Sequence, residues 1–286
     1  MTLRLLKGFF IMVLFSQCNT SGTSVFSIED VTPFAICYAK VTPEQVQNYE
    51  MVIVEPDFYT KSEMESLRGT GTKILAYVTL GEVDENRWYF SALEKHGFRG
   101  KNENWNSFYI DLESDKIRRI ILNDVIPEIT AKGVDGFFLD TIDAVSPETE
   151  RGDLQPYMVE LIEGISSQYP DKIIIQNAGL FLLDQTADDI DAFLTEALAS
   201  DFDFTSSEYK IRPDEEFNLR LGYLNEYIKE NQLPYLILDF AETEDQVSQI
   251  KSRLDTLNRP YFISNIGLSE LPVQPDSVAN KLKAGG

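Results

Sequence analysis

The chain has 286 residues, 43% of them hydrophobic, enough for one large core or two modest ones. Its 47 acidic residues against 25 basic ones give a net charge of −22, which argues against nucleic acid as a partner and favours cationic or neutral ligands. The single histidine, His96, excludes a His-rich metal site and leaves acid–base work to carboxylates.

Arg4 and Lys7 precede an apolar stretch from Gly8 to Phe15, followed by Ser16-Gln17-Cys18. A charged start and a short apolar run, too short to span a bilayer, read as an export signal over residues 1–18. Cys18 sits where a lipoprotein signal places its lipidated cysteine, although Phe15 and Gln17 are unusual neighbours for one. The expected location is therefore outside the cytoplasm, either tethered to a membrane through Cys18 or secreted. A Cys18–Cys37 disulfide is the alternative, but Cys37 lies in the apolar run Phe34–Tyr38 and reads as a buried thiol. Removing residues 1–17 takes away two cations and no acids, so the mature chain carries −24. Residues 19–30 read as a small, polar linker, 31–272 as one folded domain and 273–286 as a tail. The oligomeric state stays open.

Eight apolar runs read as strands. They are Phe34–Tyr38, Met51–Val54, Lys73–Thr79, Gly136–Leu139, Ile173–Gln176, Ala192–Thr195, Tyr235–Leu238 and Tyr261–Ser264. Between them the spacing predicts helices. Thr42 and Pro43 cap the first, through Tyr49; Ser62–Arg68 is the second, stopped by Gly69. The longest is Asp115–Lys132, with Ile117, Ile120, Ile121, Val125 and Ile129 on one face and Gly133 as its stop. Pro156–Tyr169, Asp214–Glu230 and Glu244–Leu257 follow, the last opened by the capping box Thr243–Gln246. Strand–helix alternation of this kind predicts a parallel sheet with helices outside, and eight units in this length fit an α/β (β/α)8 TIM barrel in a single domain. An open doubly wound sheet is the alternative, but no strand leads into a Gly-x-Gly-x-x-Gly loop. The aromatic segment Asp84–Ile110 is too long for a simple connection and predicts an insertion after the third strand, over the mouth.

In such a barrel the site is built at the C-terminal ends of the strands. Acids stand at many of them: Glu55, Asp57, Glu82, Asp84, Asp140, Asp143, Glu196, Asp239 and Glu242. Amides join them at Gln176, Asn177 and Asn265. Asp140 and Glu196 directly end the fourth and sixth strands, so they can face each other across the mouth. Opposed half-buried carboxylates have their pKa values pushed apart, and one stays ionised while the other keeps a proton. Glycoside hydrolysis uses that division of labour. Competing readings are that Asp140 caps a turn and Glu196 meets a cation, or that Asp140, Asp143 and Glu196 bind a divalent metal through oxygen. Arg87 and Trp88 suit substrate holding, the tryptophan by stacking and the arginine by ordering nearby acids. Tyr38, at the end of the first strand, is a further candidate.

Several of these residues carry a resemblance. Tyr77-Val78-Thr79-Leu80-Gly81-Glu82 with Arg87-Trp88, the run Lys132–Asp143, then Gln176-Asn177-Ala178 and Thr195-Glu196 resemble glycoside hydrolase family 114, the endo-α-1,4-polygalactosaminidase type. The similarity runs from about Phe34 to Leu271. It implies a cofactor-independent, endo-acting, retaining hydrolase of α-1,4-linked galactosamine polysaccharide. It implies Asp140 as nucleophile and Glu196 as acid/base, with Glu208 the alternative acid if the sixth-strand register shifts. Glu82, Asp143 and Asn177 match positions lining the cleft. The full expected substrate-contacting set is Tyr38, Asp57, Glu82, Arg87, Trp88, Asp143, Asn177 and Asp239. A non-catalytic glycan-binding surface protein, or a metal-dependent hydrolase with the same acidic mouth, would use the same residues.

Overall fold

The computed structural model describes residues 27–271. The predicted signal, Cys18, most of the predicted linker and the C-terminal tail lie outside the described residues. The end of the linker, Ile28–Asp30, forms a short 3-10 turn.

Eight parallel strands form one sheet in chain order. They are β1 (Phe34–Cys37), β2 (Met51–Val54), β3 (Lys73–Thr79), β4 (Gly136–Asp140), β5 (Ile173–Asn177), β6 (Ala192–Glu196), β7 (Tyr235–Phe240) and β8 (Tyr261–Ser264). The sheet curls into a nearly closed (β/α)8 barrel. At the seam the Phe34 and Phe262 rings lie 6.3 Å apart, and Tyr38 N donates to Leu268 O just beyond the strands at 2.7 Å. The strands are apolar because they are buried on both faces: β1 and β2 are buried throughout, as are Phe137, Phe138 and Leu139 of β4.

The opening face of the barrel, where strands begin, is braced by carboxylates. Asp135 takes two hydrogen bonds from Arg68, at 2.9 and 2.8 Å, and one from Ile74 N of β3 at 3.0 Å. Asp191 does the same for Ile174 N of β5 at 2.8 Å. Gly136 follows Asp135 because a Cβ there would sit 2.1 Å from Ile173 O on β5. The Gly-Val-Asp-Gly run therefore sets the approach of β4 to both neighbours.

The helices flank the sheet largely as the periodicity predicts. The first is shorter, Pro43–Val46. The 115–131 segment is helical throughout, with a π turn at Ile121–Val125 between two α stretches. Pro127 has no N–H for that ladder and its ring crowds the turn before it, so the helix widens there. The last helix is Glu244–Leu254 with a final 3-10 turn. Among the described residues, no helix is long and apolar enough to cross a membrane.

Two additions rise from the mouth. The insertion after β3 is a three-stranded antiparallel sheet of Glu82–Asp84, Ser107–Ile110 and Phe98–Asn102. After β6, Ser200–Asp203 and Glu208–Ile211 form a hairpin. Their tips meet: the Trp105 and Phe204 rings stand edge to face, 5.2 Å between centres.

Candidate active site

Asp140, Asn177 and Glu196 are the last residues of three successive strands, β4, β5 and β6. Alternation along β5 turns Gln176 outward and Asn177 inward. Gln176 is accordingly bonded to Thr186 Oγ1 at 2.8 Å, on the helix that follows. Asn177 reaches the other way, and its amide nitrogen donates to Asp140 Oδ1 at 2.7 Å and to Glu196 Oε1 at 2.6 Å. The reverse amide would press its oxygen against two carboxylates, so the amide has one workable orientation. Asn177 Oδ1 is left buried and without a partner, the one such side-chain polar atom among the described residues.

After each of the three, the chain turns through a left-handed residue: Thr141 at φ 60°, Ala178 at φ 59° and Ala197 at φ 51°. Such values are rare outside glycine, and for a β-branched residue such as Thr141 they are strained. Thr141 Oγ1 helps to hold the turn by accepting Gly81 N at 2.8 Å and lying 2.8 Å from Thr79 Oγ1. Gly81 must lack a side chain, because a Cβ would come within 2.2 Å of Thr141 O.

The two carboxyl groups differ in support. Burial raises Asp140, but Asn177, the Thr141 backbone and Tyr77 all hydrogen-bond to it and favour its charge. Glu196 has Asn177 alone among such donors; burial first and the Asp140 charge second push it up to about 8. The hydrogen bonds therefore favour charge on Asp140 more than on Glu196. Asp143 stands exposed at the rim, three residues past the strand. The surrounding protein, then Asp140 and Glu82, push its carboxyl up to about 6.

The other predicted residues fall into distinct settings. Glu82 is buried in the base of the insertion, accepting from Asn102 Nδ2 at 3.1 Å and from Ser107 Oγ. Tyr38 lies beside the acid pair, its phenol kept neutral by burial and by the Asp140 charge. Trp88 is half exposed, edge-on to Tyr89 at 5.2 Å. Arg87 is turned inward. It grips Glu55 and reaches Asp57 Oδ2 at 3.0 Å, so it orders acids, and Asp57 is its partner. Asp239 does not join the mouth. It is fully buried, and its carboxylate accepts the backbone N–H groups of Ala199 and Ser200, both at 2.8 Å. Those donors fix the root of the hairpin after β6, which makes Asp239 a brace instead of the expected substrate contact. Glu208 sits out on that hairpin, bonded to Ser206 at 3.1 Å, and leaves Glu196 as Asp140's neighbour.

Tyr77 was hidden inside the apolar run of β3. Its ring stands 4.7 Å from that of Tyr38, and the Arg87 guanidinium lies 5.4 Å from its centre. Among the described residues, no group of three or more His, Cys, Asp or Glu side chains is arranged to hold a metal ion.

Solved structures share the fold of this chain. The glycoside hydrolase domain of PelA from Pseudomonas aeruginosa superposes with a TM-score of 0.73 at 22% identity, covering 84% of this chain and 97% of that one. Ega3 from Aspergillus fumigatus, solved in complex with galactosamine, gives 0.64 at 14% identity, covering 87% and 98%. An α-amylase from Geobacillus thermoleovorans complexed with acarbose gives 0.51 at 14% identity, covering 85% and 72%. These likenesses show the barrel. No curated protein matches the chain. The model of glycoside-hydrolase family GH114 matches residues 16–265, so the chain belongs to that family.

Proposed function

We propose that this glycosidase is a retaining, endo-acting enzyme that cleaves galactosamine-containing polysaccharide, with Asp140 as nucleophile and Glu196 as acid/base. The observation that carries the reading is the donor shared by the pair. Bonds of 2.7 and 2.6 Å to one nitrogen keep the two bonded oxygens within about 5.3 Å of each other, a close pairing that suits the roughly 5–5.5 Å of retaining enzymes better than the roughly 6.5–9.5 Å of inverting ones.

In the first step Asp140 attacks the anomeric carbon as the glycosidic C–O bond breaks. The bonding pair leaves with the oxygen, which takes the Glu196 proton. In the second step the Glu196 carboxylate takes a proton from water, and that water displaces Asp140 from the sugar. Tyr77 and Asn177 hold Asp140 ionised before attack; Asn177 keeps Glu196 within reach.

The choice of sugar is supported by the galactosamine bound to Ega3 and by the charge of this chain, since a deacetylated amino-sugar polymer is cationic. Asp143, Glu82 and Tyr38 surround the scissile sugar in this reading, and Trp88 is a stacking face at the rim. Export and a tether at Cys18 belong to the same proposal, since a polymer is met outside the cell. The test is release of reducing ends from an α-1,4-linked galactosamine polymer, with product of retained configuration. Asp140→Asn and Glu196→Gln should fold and lose that activity by orders of magnitude. A fully active Asp140→Asn protein, or binding of the polymer without any cleavage by the wild type, overturns it.

A further inference from the structure

Beside the acid pair, across the seam between β1 and β8, lies a pocket of 410 Å³ lined by Tyr38, Ala39, Lys40, Phe58, Gly267 and Ser269. Its walls come from the connections after β1, β2 and β8, on the mouth side of the barrel. It is open to solvent along one side, as a subsite for one unit of a long polymer must be, and its lining is mostly apolar. Tyr38 is common to both places: it lines the pocket, and its hydroxyl feels the charges of Asp140 and Glu196. The pocket is thus one aromatic ring away from the bond-breaking groups.

Phe58 is 51% exposed. It ends the 3-10 turn Pro56–Phe58, whose cap is Glu55, and Glu55 is gripped by Arg87. The same ion pair that stiffens the site therefore fixes an outward-facing phenyl ring at the pocket wall. A ring face attracts both the apolar face of a sugar and a nearby ammonium group. Lys40, the cation in the wall, has its charge met by Glu63 at 2.6 Å. Gly267 leaves the floor open: a Cβ there would meet no atom closer than Asn265 Oδ1 at 3.5 Å.

We infer that this pocket is a subsite for a neighbouring galactosamine unit of the chain being cut, stacked on Phe58 and separated from the scissile unit by Tyr38. The inference rests on the reading of the acid pair as a polygalactosaminidase site. It gives the polymer a direction across the mouth, toward the β1–β8 seam.

The test is binding of α-1,4-linked galactosamine oligomers to the Asp140→Asn protein, with and without Phe58→Ala or Gly267→Leu. Calorimetry should show affinity for long oligomers falling about tenfold or more in both variants, with affinity for single galactosamine unchanged. Equal affinity for long oligomers in all three proteins, or no oligomer binding at all, overturns the subsite. Oligomer binding that responds to Phe58→Ala, together with no cleavage by the wild type, keeps the subsite and overturns the hydrolytic reading alone.

Discussion

Arg87 holds Glu55 through both terminal guanidinium nitrogens, at 2.5 and 2.6 Å, with both side chains largely out of solvent. The pair ties the insertion after β3 to the end of β2. It also fixes the cation over Tyr77, the ring that supports Asp140.

Arg87→Ala leaves a buried carboxylate without its partner. Breaking such a pair costs about 3–5 kcal/mol, so urea denaturation should give a clearly lowered midpoint. Arg87→Lys should recover only part of the loss, since one ammonium cannot reproduce the two-pronged contact. Stability within error of wild type for Arg87→Ala would refute the anchoring role.

The rate on polymer should follow a bell in pH. In the proposed mechanism Glu196 must carry its proton to act as acid, and with its pKa at about 8 activity should fall above that value. Asp140 must be ionised, and burial raises it, so the acidic limb lies above the ordinary carboxylate range. Glu196→Gln should abolish the basic limb while retaining turnover of a substrate whose leaving group needs no proton. A profile flat from pH 5 to 9 contradicts this assignment.

Asn177→Ala removes the donor that favours the charged form of both carboxyls. Both limbs of the pH profile should therefore move upward together. The lost positioning should lower kcat by about 10²-fold. An unshifted profile would mean that the amide only fills space.

Asp239→Ala should leave KM for oligomers unchanged and weaken the fold. The N–H groups of Ala199 and Ser200 would lose their buried acceptor, at a cost of about 2–4 kcal/mol. A raised KM with unchanged thermal stability would return Asp239 to the substrate set.

Glu196 also predicts a trend in stability. Its folded pKa of about 8 lies above the 4.5 of an ordinary glutamate, so the folded state holds a proton that the unfolded chain gives up. This contribution is whole below pH 4.5 and is lost as pH rises toward 8. Glu196→Gln should flatten that loss and melt higher than wild type at pH 8. An equal or lower melting temperature there counts against a buried, protonated Glu196.

The barrel was legible because each strand is a short apolar run closed by turn residues, and the structure lengthens β4, β5 and β6 by one residue to include Asp140, Asn177 and Glu196. The hairpin after β6 was not, because Ser200–Asp203 and Glu208–Ile211 mix charge with aromatics and pair only with each other. The acids at β4 and β6 could be found from their place after Leu139 and Thr195. The use of Asn177 as their common donor depends on β5 lying between those strands, which no local pattern encodes. Arg87 and Asp239 were found as polar groups near the mouth. Whether such a group faces substrate or backbone is decided by contacts 30 to 40 residues away in the chain.

Thr141, Ala178 and Ala197 each hold a left-handed backbone directly behind a residue of the acid–amide–acid trio. Each conformation costs about 1–2 kcal/mol in a residue with a side chain, and glycine at Ala178 or Ala197 would relieve it. The backbone positions that are easiest to improve for heat resistance are thus the ones that aim the proposed acid pair and its shared amide. A thermostable version of this enzyme has to find its gains elsewhere, in the helices and at the braced lower face, or accept a looser grip on the proton it moves.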